Sequence, residues 1–336
     1  MSDPVFRALV VNEVAEKEFA SVIQERKISD LPEGDVLIRV CYSSLNYKDA
    51  LSASGNKGVT RKYPHTPGID AAGIVVSCAN ANFSEGEEVI VIGYDLGMNT
   101  AGGFGQYIRV PSSWVVACPE GLTLRQAMVL GTAGFTAALC IEKLLANGLT
   151  PEDGEVLVTG ATGGVGIVAV ALLAKMGFEV IASTGKEGEK VFLQKLGAKG
   201  VVDRSEYSEG TSQPMLKERW SGAVDVVGGD TLFNILKSLK YGASVAACGL
   251  VQSPMFQASV LPFILRGVNL LGVDSVVLPL ETKKKVWSLL ASDWKIVDLD
   301  KIAKEIHLED LNDSLQQVKK GQAVGRFLLN LNNQIL

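Results

Sequence analysis

The chain has 336 residues, 47% hydrophobic and 21% charged, with 32 Lys and Arg against 37 Asp and Glu and a formal net charge of -5. That is enough apolar material for a large core and, by length, for about two domains. It excludes a mainly disordered chain and argues against one that coats nucleic-acid phosphates, while leaving room for a local basic pocket that takes a phosphorylated small molecule.

The N-terminal stretch spreads its charges and has no apolar segment followed by a small-residue cleavage site, so no signal peptide is expected. Residues 156–174 carry no charge and match a bilayer span in length, but Gly160, Gly163, Gly164 and Gly166 interrupt the run near its start. The five cysteines (Cys41, Cys78, Cys118, Cys140, Cys248) are scattered and odd in number, and they form no C-x-x-C pair. That suits a reducing cytoplasm and not a disulfide framework. A cytoplasmic protein without membrane or nucleic-acid partners is the expectation.

In chain order, residues 5–120 show short apolar runs between turn residues. Examples are Val36-Leu37-Ile38-Arg39-Val40 after Pro32-Glu33-Gly34-Asp35, and Glu88-Val89-Ile90-Val91-Ile92 after Ser84-Glu85-Gly86. The spacing predicts a mainly β domain. From about residue 125 the pattern changes. A strand at 155–159, a Gly-rich turn and a helix at 165–176 are followed by a strand at 178–182, a helix at 187–196 and strands at 200–203, 223–227 and 243–247. This alternation predicts βαβ units around a buried parallel sheet, an α/β doubly wound domain. A strand at 302–306, a helix at 311–320 stopped by Gly321 and a strand at 325–331 close the chain. Periodicity leaves open whether this tail returns to the first domain. The domains are placed at 1–124 with 298–336, and at 125–297.

The strongest chemical signal is Val158-Thr159-Gly160-Ala161-Thr162-Gly163-Gly164-Val165-Gly166. Between a predicted strand and a predicted helix, such a turn lets the backbone approach a pyrophosphate, and the helix start offers free N–H groups. Aligned on Gly163 and Gly166 it reads A-x-G-x-x-G, with Ala161 where a glycine is usual. About twenty residues on, where an acid would bind the ribose hydroxyls of NAD, stands Ala182-Ser183-Thr184-Gly185-Lys186. Hydroxyls and a cation favour a 2′-phosphate, hence NADP(H) over NAD(H). Lys186 and Arg204 are the candidate cations; each also reads as a solvated surface charge. Thr162, Val165, Leu250 in the turn after the 243–247 strand, and Ser275 complete the expected cofactor contacts.

The chain resembles the medium-chain dehydrogenase/reductase superfamily over nearly its whole length. The resemblance rests on Pro67-Gly68-Ile69-Asp70-Ala71-Ala72-Gly73, Gly102-Gly103-Phe104-Gly105-Gln106-Tyr107, the 160–166 turn and Leu196-Gly197-Ala198. Asn46-Tyr47-Lys48-Asp49, Leu130-Gly131-Thr132-Ala133-Gly134-Phe135-Thr136 and Phe263-Ile264-Leu265-Arg266-Gly267 look like its quinone oxidoreductase-like branch, which includes NADPH-dependent acryloyl-CoA reductases. The resemblance implies a GroES-like β domain to which the chain returns after a Rossmann domain, and a homodimer. It departs from the zinc alcohol dehydrogenases. Asn46 stands where they carry a zinc-binding Cys, Ile69-Asp70 where they carry His-Glu, and no cysteine cluster is present. No metal is expected.

Without a metal, conjugate reduction of an activated C=C bond is easier than direct reduction of a carbonyl, because the charge spreads over an enolate. The Asn46 amide and the Tyr47 hydroxyl are the expected donors to the carbonyl, and Tyr47 also a nicotinamide contact. Asp70 reads either as part of the site or as the cap of a turn, and Arg326 as part of the site or as a surface strand residue. Lys48 and Asp49 are expected to orient the loop, His65 to be a satisfied loop histidine, and Lys283-Lys284-Lys285 to be a solvated helix face and not a coenzyme A contact. Cys248 reads as packing. The leading expectation is an NADPH-dependent reductase of α,β-unsaturated carbonyl compounds or acyl-CoA thioesters such as acryloyl-CoA. The alternatives are an NADPH:quinone oxidoreductase, and an NADPH-binding structural or sensor protein without turnover.

Overall fold

The computed structural model of the chain describes residues 3–209 and 212–332. Two long strands, β1 (Val5–Ala15) and β2 (Glu18–Lys27), pair antiparallel as a separate ribbon. β3 (Val36–Ser44) follows and is buried over most of its length, as a central strand must be. The short helix α1 (Tyr47–Ala53) starts at Asn46, where the Asp49 carboxylate, three residues on, accepts the Asn46 backbone N–H at 2.8 Å. Next come β4 (Asp70–Cys78), β5 (Glu88–Ile92), β6 (Tyr107–Val110) and β7 (Val115–Ala117).

The helix α2 (Leu124–Ala146) is broken at Gly131, whose φ of 52° and ψ of -158° suit only glycine. It is long and apolar enough to cross a membrane, yet 78% of its most apolar window is buried, as in a core helix. The uncharged 156–174 run instead folds as a strand, a turn and most of the twelve-residue helix α3 (Gly164–Lys175).

With α3 comes an alternating series: β8 (Glu155–Val158), β9 (Glu179–Thr184), α4 (Lys190–Lys195), β10 (Gly200–Asp203), α5 (Ser205–Ser208), β11 (Trp220–Asp225), α6 (Gly229–Ser238), β12 (Leu239–Ala247), α7 (Leu261–Arg266) and β13 (Asn269–Gly272). These strands form one parallel sheet in the order β10-β9-β8-β11-β12-β13. Counted from β8, that is 3-2-1-4-5-6, the Rossmann order, and it reverses between β8 and β11. α3 has apolar residues on every side and is almost wholly buried.

The chain ends with α8 (Leu280–Ala291), β14 (Ala303–Ile306), α9 (Leu311–Lys319) and β15 (Arg326–Asn330). β15 pairs antiparallel with β3 (Leu328 opposite Ser44), so the tail does return to the first sheet, whose order is β14-β15-β3-β4-β5-β7 with β6 also on β3. Val40, Ala71, Val89, Phe104, Ile108 and Leu329 fill its core.

The two compact units are Met1–Thr132 with Val276–Leu336, and Ala133–Ser275. The divisions differ from those expected at 124/125 and 297/298. The first lies inside α2, next to the break at Gly131. The second lies before α8, because that helix is anchored in the first unit. Its Lys283 is no solvated residue: it is 1% exposed, donates to the Ile92 carbonyl at 2.7 Å and lies over the Tyr94 ring.

Candidate functional site

Side by side, β15, β3 and β4 bring Arg326, Ser44 and Asp70 together from three distant parts of the sequence. The Asp70 side chain has no exposure, and its oxygens are saturated with donors. Oδ2 accepts from Ser44 Oγ at 2.5 Å, Asn46 Nδ2 at 2.7 Å and the Thr132 backbone N–H at 3.0 Å, while Oδ1 accepts from Thr132 Oγ1 at 2.5 Å. Arg326, 3% exposed, donates from Nε to the Val129 carbonyl and from Nη1 to the Leu45 carbonyl, both at 3.1 Å. Nη1 also reaches Asn46 Oδ1 at 3.3 Å, and Nη2 lies 3.9 Å from Asp70 Oδ2.

Asn46 is therefore held at both ends, with its Nδ2 on a carboxylate and its Oδ1 on a guanidinium. The amide expected as a donor is an oriented one: its Nδ2 donates to Asp70 and also lies 3.4 Å from the Ser44 carbonyl oxygen. Arg326 is not a surface strand residue and Asp70 has no exposure; both are hydrogen-bonded to Asn46. Tyr47, 40% exposed at the start of α1, has a hydroxyl with no hydrogen-bond partner among the described residues. Gly131 closes the cluster. A Cβ there would meet Ser44 Oγ at 2.3 Å, Asp70 Oδ2 at 2.5 Å and Arg326 Nη2 at 2.9 Å.

Beneath this lies Asp49, also without exposure. Its Oδ1 accepts the Gly68 and Ile69 backbone N–H groups at 3.2 and 2.9 Å. Burial first, and then the charge of Asp70, push its carboxyl up to about 7. Burial likewise lowers the pKa of Arg326, opposed by the charges of Asp70 and Asp49. His65 is satisfied, its Nε2 2.9 Å from the Gly97 carbonyl oxygen, and burial depresses its pKa.

In the second unit the 160–166 turn sits after β8, at the point where the strand order reverses, which is where such sheets bind ligands. A Cβ on Gly166 would lie 2.3 Å from the Gly160 carbonyl oxygen, so the turn folds tightly on itself and leads into α3 at Gly163. The helix start, at Gly164, Val165 and Gly166, has backbone N–H groups without intrahelical acceptors. These features fit a pyrophosphate.

The ends of β9 and β10 bring the other candidates together. Ala161 N–H donates to the Ser183 carbonyl, Thr162 and Thr184 hydroxyls are 3.4 Å apart, and the Lys186 N–H donates to Thr184 Oγ1 at 3.1 Å. Ser183 is only 2% exposed, in contrast to the exposed Arg204, whose guanidinium lies against Gly185: a Cβ there would meet Arg204 Nε at 2.5 Å. Burial lowers the Lys186 pKa, opposed by Glu189. Leu250 is 54% exposed beside Gly228, and Ser275 accepts a hydrogen bond from Thr136 at 2.8 Å.

Sequence reasoning missed Ser44 and Thr132, two of the groups that hold Asp70, and it missed Asp225. The last is buried at the end of β11, where it accepts Thr159 Oγ1 at 2.7 Å and the Gly228 N–H at 2.8 Å. Asp225 closing a strand before Gly228-Gly229 was a usable signal; nothing local marked Ser44.

Residues 32–120 match the alcohol dehydrogenase GroES-like domain and residues 164–292 the zinc-binding dehydrogenase family, which together define a two-unit oxidoreductase. Among relatives, the acrylyl-CoA reductase AcuI of Ruegeria pomeroyi is 44% identical over 329 residues, 98% of this chain and 100% of that protein. YhfP of Bacillus subtilis, provisionally named a quinone oxidoreductase, is 46% identical over 303 residues, 90% of this chain and 92% of that one. The structure of the YhdH oxidoreductase of Salmonella enterica in complex with NADP superposes with a TM-score of 0.94 at 42% identity, covering 97% of this chain and 100% of that one. The chain belongs to the medium-chain dehydrogenase/reductase superfamily.

A zinc ion does not fit the residues at the Asp70 cluster. The carboxylate already takes four donors, Asn46 offers an amide in place of a thiolate, and the buried Arg326 cation would repel a second cation beside it. Among the described residues no three His, Cys, Asp or Glu side chains are grouped to hold a metal.

Proposed function

We propose that the chain reduces activated C=C bonds with NADPH and without zinc, acting on α,β-unsaturated carbonyl compounds or acyl-CoA thioesters such as acryloyl-CoA. When bound, NADPH supplies a hydride for the β-carbon, and a proton then joins the α-carbon. The chain's own task is to steady the negative charge that gathers on the carbonyl oxygen. The observation that carries this reading is Asn46, fixed by Asp70 on one side and Arg326 on the other, next to a free Tyr47 hydroxyl.

A donor already oriented in the ground state costs no reorganisation as charge develops, and such a group contributes about 3–4 kcal/mol to a transition state. The uncompensated part of an enolate charge is small enough for hydrogen bonds to serve where a carbonyl hydride acceptor calls for a metal. The 160–166 turn would hold the pyrophosphate, and Lys186 with Arg204 the 2′-phosphate. The identity to AcuI supports the thioester substrate, and the name given to YhfP supports a quinone as the second reading.

Steady-state rates with acryloyl-CoA, a simple enone and a quinone separate the two. The expected order of kcat/KM is acryloyl-CoA, enone, quinone. Turnover of the quinone alone would replace the proposal with the second reading, and tight NADPH binding without turnover of any acceptor would leave a binding protein.

A further inference from the structure

In the parallel sheet β8, β11 and β12 lie side by side, and one residue touches the turn that leaves each of them. Asp225 ends β11 and has no exposure. Its carboxylate accepts Thr159 Oγ1 at 2.7 Å, from the turn after β8, and the Gly228 N–H at 2.8 Å, from the turn after β11. Its backbone carbonyl accepts the Cys248 N–H at 2.9 Å, from the turn after β12. The donors to the carboxylate are neutral, and burial raises its pKa against them.

A buried carboxylate held by neutral groups costs the fold more than an uncharged residue of the same size would. Asparagine has that size and no charge, but its amide offers one oxygen acceptor, whereas Asp225 takes a donor on each of its two oxygens. What the carboxylate does that an amide cannot is hold both turns at once. The packing around it leaves these turns no independent movement. Thr159 Oγ1 also accepts the Val226 N–H at 3.1 Å, and the Thr159 N–H donates to the Val224 carbonyl at 3.0 Å. A Cβ on Gly160 would lie 2.5 Å from Val226 Cγ2, and one on Gly249 would lie 2.0 Å from the Val226 carbonyl oxygen. Val226, the residue after Asp225, is thus packed between the other two turns, and a shift in one is passed to the next. These carboxyl ends of the strands form the edge at which such sheets hold their ligands.

We infer that Asp225 is a positioning residue for the dinucleotide: it fixes Thr159, and through Thr159 the 160–166 turn, in the shape that receives the pyrophosphate. The inference rests on the NADPH-dependent function proposed above. Having no exposure, Asp225 acts through Thr159 and Gly228 and not on the cofactor itself. A turn that is ordered before binding loses no conformational freedom when the pyrophosphate arrives, so loosening it weakens binding without altering the chemical step.

The test measures the Kd of the full-length protein for NADPH and for NADH by nucleotide fluorescence, and kcat at saturating NADPH with whichever of the three acceptors is turned over. Asp225→Asn should raise both Kd values about tenfold and by the same factor, because both nucleotides carry the pyrophosphate, while kcat stays within about twofold. Thr159→Val should reproduce that loss and Thr159→Ser should bind as wild type does. The double variant of Asp225→Asn and Thr159→Val should bind no more weakly than the weaker single one, since both remove the same contact. A Kd unchanged within about twofold in Asp225→Asn overturns the inference, as does a fall in kcat at unchanged Kd, which a merely loosened fold would give, or losses that multiply in the double variant. If Asp225→Asn does not fold, the contrast between valine and serine at Thr159 decides in its place. If the wild-type protein binds neither nucleotide, the proposed function falls, and amide hydrogen exchange across 159–166 decides the positioning alone. Faster exchange in Asp225→Asn supports it; unchanged exchange overturns it.

Discussion

The Asp70 cluster and the 160–166 turn solve the same problem, holding something charged, by opposite means. Around Asp70 the charges are side chains, both nearly without exposure, and both carboxylate oxygens and the Arg326 Nε and Nη1 are matched by groups from other segments, while Nη2 has only the Asp70 charge at 3.9 Å. In the dinucleotide unit the polar groups are backbone N–H groups at a helix start, and the cations Lys186 and Arg204 stand partly or wholly in solvent. The first arrangement is rigid and brittle, since removing one member leaves another buried and unpaired. The second tolerates loss, because water can replace any one cation.

The largest effect is therefore expected at Arg326. Replacing it by Met leaves Asp70 with its donors but without its counter-cation, and unfolding in denaturant should show a loss of about 3–5 kcal/mol. Asn46 Oδ1 loses its partner in the same step, so kcat should fall while NADPH binding, in the other unit, is unchanged. Arg326→Lys should recover most of the stability and less of kcat, because one ammonium cannot reach Val129 O together with Leu45 O and Asn46 Oδ1, which the planar guanidinium reaches from Nε and Nη1. Equal stability of the Met variant and wild type would show that the cluster is not interdependent.

The same contrast explains what could be read in advance. The dinucleotide turn is local: its glycines, the strand before it and the helix after it are contiguous, and so are 182–186 with their hydroxyls and Lys186. Asn46 and Asp49, three apart, form a capping pattern that is also visible in a line of sequence. The pairing of β15 with β3 is not visible there, because it depends on a sheet that spans almost 300 residues of chain. Hence Arg326 was open between surface and site, Thr132 stood out only as part of a motif, and Ser44 was not singled out at all. Lys283 failed for a related reason: a Lys run on a helix is usually solvated, and only the three-dimensional packing of α8 shows one member buried against Ile92 O.

A smaller effect is expected in the tolerant region. Lys186→Ala should weaken NADPH by about ten- to a hundredfold, the value of one or two charge-assisted hydrogen bonds. NADH affinity should stay where it is, because NADH carries no 2′-phosphate for the Lys186 cation to meet. Titration with both nucleotides checks this; an equal loss for NADH would mean that the side chain does not meet a 2′-phosphate.

The smallest effect separates the two regions by pH. The Asp49 carboxyl is raised from 3.8 to about 7 in the folded protein. Between those values the native state binds a proton that the unfolded chain does not, so the Asp49 contribution is complete below about pH 4 and is lost as pH climbs through 7. His65 works in the other direction. Its native pKa is depressed below 6.5, so its contribution grows with pH and is complete above 6.5. From pH 6.5 to 8, then, the Asp49 contribution falls by a little under ~1 kcal/mol, or about 1–3 °C in Tm for units of this size, while His65 completes its smaller rise in the same way in both proteins. Burial raises Asp225 in the second unit as well, so the difference between proteins, not the wild-type slope, is the quantity to read. Asp49→Asn keeps an oxygen for the Gly68 and Ile69 N–H groups and no longer titrates; its Tm should start lower but decline less across that interval. Parallel curves for the two proteins would mean that Asp49 is ionised throughout, with its three backbone donors outweighing both burial and the charge of Asp70.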